Sequence, residues 1–204
     1  MIHIVDYNLG NVQALLTSYK MLGINALRAK TADDLIDARK VILPGVGSFD
    51  HAMESLNQSG MRLILEELIL HKKIPVLGIC VGMQILASAS EEGILPGLGW
   101  IPGKAKAFDS TKYSIKLPSP HMGWNSVIPV TDHPLFKDIN IEPLFYFLHS
   151  YYFDCEDFSH IAATSNYGID FSCAISSGNI YGVQFHPEKS HHFGSTILKN
   201  FSDL

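Results

Sequence analysis

Short unbroken apolar runs alternate along this chain with segments whose apolar residues recur every three or four positions. Ile2–Asp6 reads as a buried strand and Tyr7–Asn11 as a loop. Val12, Leu15, Leu16, Tyr19 and Leu22 then fall at helical spacing, with Gly23 placed to close that helix. Ile24–Leu27 supplies a second strand. Thr31, with an acid three residues on at Asp34, has the form of a capping box opening a short helix. Lys40–Leu43 is a third strand, which Pro44 is expected to stop. Met53–Gln58 and Met61–Leu70 read as helices broken at Ser59 and Gly60. Pro75–Ile79 is a fourth buried strand, and Val81, Met83, Ile85, Leu86 and Ala89 fit a helix packed on one face. Strands alternating with helices predict a parallel sheet covered on both faces, with sites at the carboxyl ends of its strands.

The rhythm changes after Ala89. Residues 93–103 are rich in glycine and proline, and short strands and turns dominate from Lys104 to Val130. Phe145–Phe153 reads as one aromatic strand and Ile161–Asn166 as another. Phe171–Ser176 and Ile180–Phe185 form a hairpin turned at Ser177, Gly178 and Asn179. A closing helix over about Ser190–Phe201 would turn Phe193, Ile197 and Leu198 inward. The chain is therefore expected to be a single α/β domain over 1–204. Its central, mostly parallel sheet would be flanked by helices and carry a mixed or antiparallel extension.

Composition narrows the function classes. At 204 residues, 47% hydrophobic and 17% charged, the chain matches a soluble globular protein with one large core. A net charge of −5 offers no nucleic-acid surface. The N-terminus lacks the basic and apolar regions of a signal peptide, and no apolar run is long enough to span a bilayer. Cys80, Cys155 and Cys173 are odd in number and widely spaced, which suits neither a disulfide framework nor a zinc site. A cytoplasmic, reduced protein is expected.

The candidate chemistry centres on Cys80. It lies between a strand and a helix, bracketed by Gly78 and Gly82. Glycines two residues to either side are what a very tight strand-to-helix turn needs, because a Cβ there would collide with backbone. Such an elbow lifts the thiol clear of the sheet, at a helix N-terminus that favours a thiolate. The competing reading is a buried cysteine acting as a small hydrophobe. A thiol nucleophile needs a base. His186 ends the Ile180–Phe185 strand, is followed by Pro187, and would project from the same sheet edge as Cys80. Glu188, two residues on in an extended segment, can accept a hydrogen bond from the imidazole. Taken alone, that stretch is equally compatible with an exposed turn. Residues 44–49 lie just beyond the third strand and can offer N–H groups to an anion, or form a plain βα turn. His191 and His192 join His186 and Glu188 in inviting a metal reading, but adjacent histidines rarely ligate one ion and no metal motif accompanies them. No metal is expected.

Taken together, Gly78–Gln84 (GICVGMQ) and Tyr181–Ser190 (YGVQFHPEKS) resemble the two motifs of the class I, triad-type glutamine amidotransferases, in that family's order of Cys, then His and Glu. Asp6–Asn11 (DYNLGN), Pro44–Phe49 (PGVGSF), Pro120–Asn125 (PHMGWN) and Phe145–Tyr152 (FYFLHSYY) are similar to stretches of its branch of glutaminase subunits of imidazole glycerol phosphate synthases. These blocks run over nearly the whole chain. The resemblance implies a glutaminase of histidine biosynthesis, heterodimeric with a (β/α)8-barrel cyclase subunit that receives its ammonia. It further implies Cys80 as nucleophile, His186 as base and acid, and Glu188 as the group that holds His186. Val81 N–H and the Gly45, Val46 and Gly47 loop would serve the oxyanion, and Gln84 with the Gly47 region would hold L-glutamine. His121, Met122, Trp124, Tyr146 and Lys189 would face the cyclase and line the ammonia passage. No metal or organic cofactor is implied. The run of histidines after Lys189 departs from the usual pattern. Rival readings are a stand-alone amide hydrolase, the glutaminase of another amidotransferase, a catalytically silent scaffold subunit, and a cysteine peptidase. The intact Cys80, His186 and Glu188 argue against the scaffold, and the loop at 44–47 is not the Pro-Gly-Gly-Pro type of anthranilate-type synthases.

Overall fold

The computed structural model describes residues 1–108, 118–139 and 142–204, so part of the turn-rich stretch between Lys104 and Val130 lies outside the described residues. Its organising element is an eleven-stranded sheet. The first half is parallel throughout. β1 (Ile2–Val5) is buried along its length and pairs with β2 (Ala26–Ala29) on one side and β3 (Lys40–Gly45) on the other. β3 pairs with β4 (Val76–Cys80), and β4 with β13 (Ile180–Val183).

The connections explain the layers. Moving from β1 to β2 steps one way along the sheet, and moving from β3 to β4 steps the other way. Right-handed crossovers therefore put α1 (Val12–Met21) on one face and the pair α2 (Phe49–Gln58) and α3 (Arg62–Glu66) on the opposite face. α1 starts where the Asn11 side chain accepts from the Ala14 N–H and ends before Gly23, whose φ is +70°. It buries Val12, Leu15 and Tyr19, and the Tyr19 hydroxyl donates to the Leu198 carbonyl of α5 (His191–Asp203) at 3.3 Å. The expected capping box is present: the Asp34 N–H donates to Thr31 Oγ1 at 3.3 Å, and the Thr31 N–H donates to the Asp34 carboxylate at 2.9 Å.

Four expectations are corrected. The second strand lies two residues later than its apolar run, because β2 is an edge strand whose Leu27 and Arg28 are exposed. Pro44 does not stop β3, which continues to Gly45. At position 44 the backbone faces the β1 side, where β3 pairs β1 only through Lys40, Val41 and Ile42. No ladder donor is therefore missed, and the Pro44 carbonyl instead accepts the Tyr7 hydroxyl at 2.6 Å. The helix after Cys80, α4 (Val81–Gln84), is one turn long, and Ala89 sits on the short strand β5 (Ala89–Ser90). Backbone N–H groups of the returning 97–101 segment capture the carbonyls of Ile85, Leu86, Ala87 and Ser88, so the helix has nothing to extend into.

The expected aromatic strand 145–153 is two strands. β9 (Leu144–His149) pairs with β7 (His121–Ser126) in a separate two-stranded sheet. Past Ser150, β10 (Tyr151–Cys155) joins the large sheet between β6 (Gly103–Ala107) and β12 (Asp170–Ser177). β12 turns through Gly178 and Asn179 into β13, as the hairpin pattern predicts. β11 (Ile161–Asn166) pairs with β12 and with β8 (Ile128–Pro129), completing the antiparallel extension. All three cysteines are free and buried. No described helix is long and apolar enough to cross a membrane.

Candidate active site

The carboxyl edge of β3, β4 and β13 carries the site. Register places Gly45 opposite Cys80 on one side, and the chain leaving Val183, paired with Ile79, brings Gln184 beside Cys80 on the other. Cys80 has φ +56° and ψ −116°, a conformation that Cβ-bearing residues avoid. The glycines around it explain how the turn closes. A Cβ on Gly78 would sit 2.5 Å from the Gly82 carbonyl oxygen, and one on Gly82 would overlap the Leu43 carbonyl. A Cβ on Gly45 would lie 2.5 Å from the Gly82 nitrogen. The elbow is thus backbone packed on backbone.

His186 and Glu188 complete the cluster. His186 is extended, but Pro187–Lys189 forms a 3-10 turn instead of the expected extended segment. That turn brings Glu188 Oε1 to 2.9 Å from His186 Nδ1, with both side chains about 95% buried. The other imidazole nitrogen is left for the Cys80 side, and both residues line one cleft. Burial alone would lower the His186 pKa, but the hydrogen bonds and charges of Cys80 and Glu188 outweigh it and raise the pKa to about 9. The imidazole is therefore protonated at neutral pH. Its backbone is held as firmly: His186 N–H donates to the Tyr146 carbonyl at 2.9 Å, and Ser190 Oγ donates to the His186 carbonyl at 2.6 Å.

A cleft of about 250 Å³ opens over these groups. Val46, Gly47, Cys80, Val81, Gln84, His186 and Lys189 line it, so most of the residues singled out in the sequence converge there. Gly45 does not line the cleft and packs under the elbow instead. Gln84 is 3% exposed, and its Nε2 is already engaged with the Tyr151 carbonyl at 2.9 Å and with Gln184 Oε1 at 3.0 Å.

The β7–β9 pair carries two faces. Met122, Trp124, Leu144 and Leu148 are exposed on the outer one, where Trp124 sits edge-on to Tyr146 and Lys189 Nζ lies 5.4 Å from the Tyr146 ring centre. His121 belongs to the inner face and is 4% exposed, stacked between Phe147 and Tyr167. It is therefore not a surface contact, because strand parity sends it opposite to Met122 and Trp124. The two histidines that follow the turn diverge from the site: His191 stacks on Trp124 with ring centres 5.0 Å apart, and His192 packs on Phe193.

Sequence reasoning missed Glu92, His149, the backbone of Leu148–Tyr151 and Gln184. β13 ends at Val183, two residues short of the expected strand end at Phe185, so Gln184 and His186 lie beyond it and strand alternation does not reveal Gln184. Burial lowers the His149 pKa to about 3 and that of His121 to about 4, so both rings are neutral.

A thiol on a strained elbow, a buried histidine in the same cleft and a carboxylate behind that histidine are the groups that nucleophilic attack on an acyl carbon requires. The glutamine amidotransferase class-I family model matches residues 3–203, and this chain belongs to that family. Over its full 204 residues the chain is 57% identical to the imidazole glycerol phosphate synthase subunit HisH of Bdellovibrio bacteriovorus, with both chains covered completely. It is 50% identical to the HisH subunit of Leptospira borgpetersenii, again with complete coverage of both. Among solved structures, PurLQS from Thermotoga maritima superposes with a TM-score of 0.75 at 16% identity, covering 99% of this chain and 97% of that one. A glutamine amidotransferase from the same organism gives 0.63 at 20% identity, covering 99% and 82%.

Proposed function

We infer that this chain is the glutaminase subunit of an imidazole glycerol phosphate synthase in histidine biosynthesis, acting as one cytoplasmic domain over 1–204. The observation that carries the reading is the Cys80–His186–Glu188 cluster in a chain similar to HisH subunits along its whole length. Cys80 thiolate attacks the side-chain amide carbon of L-glutamine, forming the C–S bond. The oxyanion so formed is met by the Val81 N–H and by N–H groups of the loop at Val46 and Gly47, which line the cleft where Gly45 does not. As the C–N bond breaks, His186 gives its proton to the departing ammonia. His186 then takes a proton from water, which attacks the thioester and releases glutamate and the free thiolate. Glu188 keeps the imidazolium oriented and charge-balanced throughout.

The partner is a (β/α)8-barrel cyclase subunit, forming a heterodimer. It consumes the ammonia to make imidazole glycerol phosphate and an aminoimidazole carboxamide ribonucleotide. The outer face of β7 and β9 suits its docking, because that face exposes Met122, Trp124 and Leu148 while Leu148 and Lys189 also line the cleft. Glutamate release by the purified chain, alone and with a cyclase plus its nucleotide substrate, tests the reading. Strong stimulation by the liganded partner is expected. Equal rates in both would indicate an independent amidase, and no turnover in either would indicate a silent scaffold. Cys80→Ala should abolish glutamine hydrolysis yet still support cyclase product formation from added ammonium.

A further inference from the structure

Two runs of hydrogen bonds converge on the Tyr151 carbonyl, and the one through Gln84 and Gln184 ends on the nucleophile. The Tyr151 carbonyl can only accept, and His149 Nδ1 faces it at 2.8 Å, so that nitrogen carries the proton. His149 Nε2 is then an acceptor for His121 Nδ1 at 3.0 Å, and His121 Nε2 accepts from Asn125 at 3.2 Å. The same Tyr151 carbonyl takes an N–H of Gln84 at 2.9 Å, and the other hydrogen of that Nε2 goes to Gln184 at 3.0 Å. Gln184 must therefore turn its oxygen toward Gln84. Its Nε2 is left facing Cys80 Sγ at 3.8 Å.

From this geometry we propose that Gln184 is a further catalytic residue, whose side-chain N–H stabilises the Cys80 thiolate, with Gln84 and Tyr151 as positioning residues that fix its orientation. The proposal rests on the reading of Cys80 as nucleophile. Gln184 is wholly buried, so no water competes for its amide. An N–H aimed at sulfur favours the anion over the thiol, because the thiolate is much the better acceptor. It also offsets the Leu148 carbonyl, which lies 3.8 Å from Sγ on another side and favours the protonated thiol. The titratable groups that interact with the sulfur's charge are His186 and Tyr7, while Glu188 is paired with His186 and His149 lines the same cleft. Gln184 is thus an uncharged donor in a cluster otherwise governed by ionisation.

Iodoacetamide alkylation of the full chain against pH, followed at Cys80 by peptide mass spectrometry, tests this. In Gln184→Met the rising limb should move to higher pH, so that the rate there falls about tenfold while the high-pH plateau stays the same. Gln184→Glu keeps the volume and the acceptor for Gln84 but sets an oxygen against sulfur, and should move the limb further. An unmoved limb, or a lowered plateau alone, would overturn the proposal. If the variants do not fold, NMR of the unsubstituted protein decides: the Gln184 amide protons should shift over the pH range in which alkylation rises, and should not shift in Cys80→Ala. Their failure to move in the unsubstituted protein would overturn it. Alkylation of Cys80 no faster than that of Cys155 and Cys173 would instead overturn the nucleophile assignment beneath it.

Discussion

Replacing Cys80 by alanine and by glycine isolates the energy held in the elbow, because neither variant keeps the thiol and they differ only by one Cβ. At most buried positions alanine is the more stable of the two. Here φ is +56° and ψ −116°, well outside the left-handed helical well, so a Cβ costs about 3 kcal/mol, the upper end for such strain. Glycine forfeits about 0.8 kcal/mol from the lost buried methyl. It also gains freedom in the unfolded chain, worth about 0.7 kcal/mol. The balance leaves Cys80→Gly more stable than Cys80→Ala by about 1.5 kcal/mol. Urea unfolding read by tryptophan fluorescence and circular dichroism should place the glycine midpoint higher by about 0.5 M. A glycine variant equal to or weaker than the alanine variant would mean that the elbow is unstrained, and the argument from its dihedral angles would fail.

Two further predictions concern charge and docking. The His186 pKa is raised from 6.5 to about 9 against the opposing effect of burial, so the stabilisation it carries is fully present below pH 6.5 and lost as pH rises through about 9. Glu188→Gln should therefore be most destabilising near pH 6 and nearly neutral near pH 9.5 in urea titrations, and should lower kcat/KM for glutamine at least about tenfold at neutral pH; an equal stability loss at both pH values would refute the charge argument. Trp124→Ala should weaken cyclase binding by at least about thirtyfold in titration calorimetry, as expected of an aromatic anchor. A change under about threefold would remove the β7–β9 face as the docking surface.

The parallel half of the sheet was legible because β1, β3 and β4 are buried on both faces and therefore read as continuous apolar runs. Elements whose ends are set by distant partners were not legible. The apolar pattern continues through Ala89, yet the helix is ended by N–H groups of residues 97–101. Aromatic residues continue through Ser150, but the strand there changes its neighbours. The same division holds at the site. Cys80, His186 and Glu188 announce themselves locally, through flanking glycines and a short His-Pro-Glu spacing. The approach of Gln184 to sulfur depends on how β13 registers against β4, which no local pattern encodes. The motif around His121 points to the partner face, whereas the alternation along β7 turns that side chain inward.

The crowding of Gly45, Gly78 and Gly82 has a consequence for how such a site can diversify. The sulfur is located by backbone atoms in contact where side chains are missing, whereas much of the cleft wall comes from elements distant in sequence: Val46, Glu92, Pro120, the 148–151 segment and Lys189. Side-chain substitutions in the walls can therefore reshape the cleft while the backbone contacts that place the sulfur stay as they are.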